Sequence, residues 1–205
     1  MKSVYSLVLS DDVIEKVDDL AFKRGVSRSQ CINEILAESV GVDTKHKRIS
    51  DIFDEIKNYI ETVDNMRVQR RQQSCVDFLS ALDYKYNPRV TYSVELFGDD
   101  YSSGELKIAL RTTNPILLTI IGDFFNDFIA VERAADQNIG YEVRDGKLIR
   151  KLDFTKAEGK SISRTVTDYV NMLDRLLNAY VHDYGESEKE RLADNYEKVK
   201  GKMSI

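Results

Sequence analysis

The sequence predicts an α+β protein: an N-terminal dimerisation module, a connecting helix, and a C-terminal domain of antiparallel hairpins packed with helices. Three observations carry this. Residues 3–41 switch from a period of two to a period of three to four. Two alternating stretches, residues 89–112 and 140–154, are each interrupted by a Gly-containing turn. Two long amphipathic runs, after Asn114 and after Ser161 or Ser163, follow those hairpins.

The N-terminal stretch reads SVYSLVLSDDVIEKVDDLAFKRGVSRSQCINEILAESVG. Val4, Ser6 and Val8 share one strand face, and Tyr5, Leu7 and Leu9 the other. Ser10 is an expected N-cap, with Asp11 and Asp12 suited to the positive end of a helix dipole. Val13, Ile14, Val17, Leu20 and Ala21 then form a helical stripe, closed by Lys23, Arg24 and the C-cap Gly25. Ser27 caps a second helix whose apolar face is Cys31, Ile32, Ile35, Leu36 and Val40, and Gly41 ends it. One strand and two short helices bury little, and a half-apolar strand needs an edge to pair with. The same strand of a second copy supplies one, giving a two-fold antiparallel ribbon.

This strand–helix–turn–helix pattern, YSLVLSDDVIEKVDDLA followed by KRGVSRSQCINEIL, resembles the ribbon-helix-helix family of DNA-binding proteins, which includes the Arc, methionine and plasmid copy-number repressors. The resemblance covers about the first fifth of the chain. It implies that the ribbon enters the major groove with Val4, Ser6 and Val8 outward and Lys2 beside them, and that Ser27, Arg28 and Ser29 grip a phosphate. The family usually carries polar side chains on the outward face, and this chain has two valines there. Valines touch thymine methyls but donate no hydrogen bond, so binding is expected to be dominated by phosphates. The implied function is that of a homodimeric transcriptional regulator of a prokaryote, plasmid or phage, a repressor for instance. The alternative is an interaction or inhibitor protein that uses the module only to dimerise.

Composition sets outer bounds. The 205 residues hold 42% hydrophobic and 32% charged residues with a net charge of −5, as in soluble globular chains. Residues 1–45 carry six basic and eight acidic residues, so DNA affinity depends on where the charges sit. No apolar run reaches the roughly 20 residues of a membrane span and no signal-peptide pattern opens the sequence, which leads to the expectation of a cytoplasmic protein. Cys31 and Cys75 read as free thiols.

Four segments are expected: a module over residues 1–44, a connecting helical region over 45–83, an α+β domain over 84–185, and a charged helix or tail over 186–205. Lys45, Lys47 and Arg48 lie in a polar joint that could touch a phosphate backbone. Ile49, Ile52, Phe53, Ile56, Tyr59, Ile60, Val63 and Met66 mark a helix over 49–66. Arg67, Arg70 and Arg71 read as a solvated helix face or a nucleic-acid patch, and Cys75, Val76, Phe78, Leu79 and Leu82 as a further apolar stripe. Arg89–Phe97 and Glu105–Thr112 form one hairpin, and Gly140–Phe154, turning at Asp145-Gly146, the other. Asn114 and Pro115 open the most apolar helix of the chain.

No catalytic constellation stands out, so no enzyme activity, cofactor or metal is expected. The pair Asp99-Asp100 reads as a polar loop, and Asp123 with Asp127 as the wet edge of a core helix. His46 and His182 are isolated. Nickel-responsive repressors also join a ribbon-helix-helix to an α+β ligand domain, but this chain lacks their clustered His and Cys ligands. A protein partner or small organic ligand remains open for the C-terminal domain.

Overall fold

In the strands, side chains alternate between two faces, and here one face is largely apolar across the central strands. The computed structural model describes residues 4–60, 66–72, 74–98, 101–156, 161–185 and 188–200. Six strands, β1 (Met66–Gln72), β2 (Cys75–Ala81), β3 (Arg89–Phe97), β4 (Ser103–Leu110), β5 (Tyr141–Arg144) and β6 (Lys147–Asp153), form one antiparallel sheet in the order β1-β2-β3-β4-β6-β5. Among the described residues six α-helices accompany the sheet: α1 (Asp11–Arg24), α2 (Arg28–Ser39), α3 (Lys45–Ile60), α4 (Pro115–Ala135), α5 (Ile162–His182) and α6 (Glu188–Lys200). The chain divides into two units, Met1–Arg48 and Ile49–Ile205, with the division inside α3.

In the larger unit the register sets Val76 opposite Val94 and Phe78 opposite Tyr92. Val94 faces Leu106, Tyr92 faces Ile108, and Ile108 faces Leu148 in turn. These side chains are all buried, in one core with Ile49, Phe53, Ile56 and Ile60 of α3, Leu117, Phe124 and Phe128 of α4, and Leu173 and Leu177 of α5. Phe124 stacks on Phe128 at 5.6 Å and meets Tyr180 edge-on at 5.3 Å. Gly104 is required by close approach, since a Cβ there would lie 2.5 Å from the Glu95 carbonyl oxygen.

Both expected hairpins are present. Asp145 (φ 52°) and Gly146 (φ 69°) make the two-residue turn that the sequence signals. Asn114 caps α4 by accepting from the Ile116 and Leu117 amides at 3.0 and 3.3 Å. Ser161 rather than Ser163 caps α5, accepting from Arg164 N, while the Ser163 hydroxyl donates to Glu55 of α3. The charged segment after residue 187 is the helix α6, with Leu192 and Tyr196 buried in the chain's own core.

The connecting region departs from expectation. The helix ends at Ile60 rather than Met66, and Val63 lies outside the described residues. Met66 belongs to β1, and the run from Arg67 to Gln72 is an edge strand rather than a helix face. Cys75–Ala81 is a strand as well, so the sheet starts before residue 84 and the region 45–83 is not helical throughout. A short apolar run fits either period, and here pairing with β3 decides it. Residues 4–10 carry no strand ladder. An isolated strand has no partner for its backbone groups, and none of the described segments pairs with this one.

A polar knot sits inside this core. Glu132 of α4, fully buried, accepts from Arg150 Nε at 2.7 Å, Tyr169 OH at 2.9 Å and Tyr196 OH at 3.1 Å, and from the Tyr141 hydroxyl. The Arg150 guanidinium stacks 4.5 Å above the Tyr169 ring. Burial, then the neighbouring carboxylate, pushes the Tyr196 hydroxyl well above its ordinary range. Elsewhere, Tyr92 OH donates to Asp174 at 2.9 Å, and burial holds the Asp174 carboxyl above the usual range against that bond.

Replacing Glu132 by Ala leaves a buried guanidinium and three tyrosine hydroxyls without their acceptor. The expected loss is about 3–5 kcal/mol in urea unfolding. Asp174 imposes a pH trend. As pH rises above about 3.9 the unfolded chain releases this proton first, so the folded state loses stability until the raised native value is passed. Thermal melts should show Asp174→Asn gaining on the parent across that window and running parallel to it above.

Candidate nucleic-acid interface

In the smaller unit, α1 and α2 pack through Val17, Ala21 and Cys31, with Leu20, Val26, Ile32 and Ile35 partly covered. Gly25, at φ 65° and ψ 32°, closes α1 in the left-handed conformation, and the Val26 amide donates to the Ala21 carbonyl at 3.0 Å. The turn thus reverses the chain without strain. Ser27 then caps α2, its Oγ accepting from Gln30 N at 3.2 Å. The Arg28 and Ser29 amides precede the first intrahelical acceptor, and both residues are exposed.

Three small buried side chains do not offset the conformational entropy of ordering two helices. The uncovered apolar surface is correspondingly large. Ten of the sixteen large hydrophobic residues exposed among the described residues fall in residues 4–42. Parity survives in residues 4–9: Val4 and Val8 are fully exposed, whereas exposure falls along the other face to 59% at Leu7 and 37% at Leu9. Ser6 is exposed with the valines, and Lys2 lies outside the described residues.

Several charges of this unit are paired, Arg28 among them. Arg28 clamps Asp18 with two parallel bonds, Nε to Oδ1 at 2.6 Å and Nη2 to Oδ2 at 2.5 Å. That bond, together with the guanidinium charge, holds the Asp18 carboxyl below the usual range and raises Arg28. Arg24 lies 3.6 Å and His46 2.9 Å from Glu34, and Lys47 3.5 Å from Asp43. A phosphate approaching Ser27, Arg28 and Ser29 therefore meets open backbone amides and hydroxyls, and a guanidinium already engaged. Asp18 is the residue that sequence reasoning missed. It lies beside Val17 on α1, and ten residues separate it from Arg28, so only the turn geometry joins them.

The other candidates have structural partners. Asp123 accepts from Tyr184 OH at 2.6 Å and Asp127 from Tyr180 OH at 2.8 Å, which ties the polar edge of α4 to the end of α5 and the residues after it. Asp99 and Asp100 lie outside the described residues. His182 pairs with Asp183 at 2.9 Å. Cys31 is buried, Cys75 half-buried, and neither is in a disulfide. Among the described residues no three His, Cys, Asp or Glu side chains gather as metal ligands, and no helix is long and apolar enough to cross a membrane. No family model, curated protein or solved structure matches the chain.

If the inward parity of residues 5, 7 and 9 seals a two-copy core, a charge at Leu7 opposes it. Leu7→Glu is expected to halve the mass seen in sedimentation equilibrium and to unfold α1 and α2 first on heating. Unchanged mass would remove the role assigned to this face.

Proposed function

We propose that the chain is a dimeric ribbon-helix-helix DNA-binding protein, a cytoplasmic transcriptional regulator of prokaryotic, plasmid or phage type. The observation that carries the reading is the N-terminal segment with preserved parity beside a two-helix unit too poorly covered to stand alone. Pairing residues 4–9 of two copies would satisfy their backbone and cover Tyr5, Leu7 and Leu9, leaving Val4, Ser6 and Val8 outward. Phosphates would dock at Ser27, Arg28 and Ser29, with sequence discrimination limited to methyl contacts and groove shape. The larger unit would set assembly or take a protein partner or ligand.

A second reading keeps the dimer and drops the DNA, making the chain an interaction or inhibitor protein. The outward valines and the Arg28–Asp18 pair favour it.

Fluorescence anisotropy with genomic DNA fragments at low and moderate salt separates the two. On the first reading Arg28→Ala weakens binding to all fragments alike and lowers the salt slope by about 2 for the dimer. Asp18→Asn frees the guanidinium and strengthens binding. Absence of salt-dependent binding in the parent protein would leave the second reading standing.

A further inference from the structure

We propose that a groove at one end of the six-stranded sheet binds a nucleoside phosphate. This is independent of the reading of the N-terminal unit. The groove, about 920 Å³, lies between the β2–β3 loop and the β4–α4 connection, within the size range of small-molecule sites. Among the described residues its charged lining groups are Lys85 and Arg111 and no carboxylate lines it, in a chain whose net charge is −5. Thr112 and Thr113 add hydroxyls, and Tyr84 and Tyr86 add aromatic surface. On the other flank of the same loop Arg67 and Arg89 outnumber Asp83, which raises the local positive potential further.

Tyr86 points to a base as well as a phosphate. The residue is 88% exposed and lies outside the core. Its backbone nevertheless sits at φ 70°, followed by Asn87 at φ 44°, a left-handed conformation that suits Gly or Asn and strains a bulky residue. A strained residue with no packing role is a pointer to function. The Lys85 ammonium lies 5.1 Å from the ring centroid, which places a cation next to the aromatic platform. A bare anion has no use for the ring, and an apolar ligand none for the two cations. Base stacking on Tyr86 with phosphate held by Lys85 and Arg111 uses both. The start of α4 is not required, because Asn114 already occupies the Ile116 and Leu117 amides.

The test is calorimetric titration of the full chain with ATP, a short oligothymidylate and tripolyphosphate. Saturable micromolar binding of ATP or the oligonucleotide is expected, with tripolyphosphate at least about tenfold weaker. Tighter ATP assigns the groove to free nucleotides, and tighter oligothymidylate to a single strand. Lys85→Ala and Arg111→Ala each weaken the better probe by about tenfold. Tyr86→Asn suits the left-handed backbone, so it should raise Tm while weakening ATP and oligothymidylate and sparing tripolyphosphate. No saturable binding up to millimolar probe, equal binding of tripolyphosphate, or indifference to Tyr86→Asn overturns the proposal.

Discussion

The larger unit depends on one buried carboxylate. Glu132 has two oxygens with about four acceptor positions, and four donors fill them: Arg150 and Tyr141 on Oε2, Tyr169 and Tyr196 on Oε1. Those donors come from β6, β5, α5 and α6, while Glu132 is on α4. Apolar packing is tolerant of sliding, because one methyl contact resembles another. A saturated carboxylate is not tolerant, since any shift leaves a buried donor or acceptor unmet. The knot therefore selects one arrangement of five elements whose area of contact would allow several. It also explains why α6, with a thin apolar stripe, belongs to the core. Leu192 and Tyr196 are buried, and the Tyr196 hydroxyl supplies the directional contact.

The smaller unit has no such device. Its core is Val17, Ala21 and Cys31, and its polar contacts are ion pairs at or near the surface, worth little each. The contrast is one of covering rather than of helix quality. Both helices have extended N-cap residues and regular ends, and only α2 has a side-chain cap. What they lack is a second apolar layer to pack against, which is the sense in which the unit is incomplete.

Local signals were legible where one residue type had one meaning. Asn114-Pro115, Asp145-Gly146, Gly25 and the alternation of Val90, Tyr92, Val94 and Leu96 each specify their element through backbone chemistry or strict period. The strands β1 and β2 were not legible for the same reason in reverse. Only Met66 and Val68 mark the inner face of β1, among five arginine and glutamine neighbours, and Val76, Phe78 and Leu79 fit a helical stripe as well as a strand. Their identity comes from β3, a partner that no window of sequence contains. The polar knot was hidden too, because Glu132, Tyr141, Arg150, Tyr169 and Tyr196 span 65 residues and each looks like an ordinary surface or stripe residue. In the candidate interface, parity and caps were readable, and the Arg28–Asp18 clamp was not.

That clamp bears on how the proposed regulator would recognise DNA. A phosphate that takes Arg28 displaces a carboxylate holding the same two donors, so the exchange is close to neutral and leaves Asp18 facing the phosphate backbone. Favourable docking then rests on the open amides at the start of α2 and on having two copies engage at once. With valines outward, the proposed ribbon would contribute shape and methyl contact rather than donor–acceptor matching. Both features shift recognition from single bases to the spacing of paired sites, where a fixed dimer geometry discriminates and one protomer does not. An interface built this way binds weakly through each half and sharply through the pair, so its selectivity depends on the apolar seam between the copies more than on any side chain that touches a base.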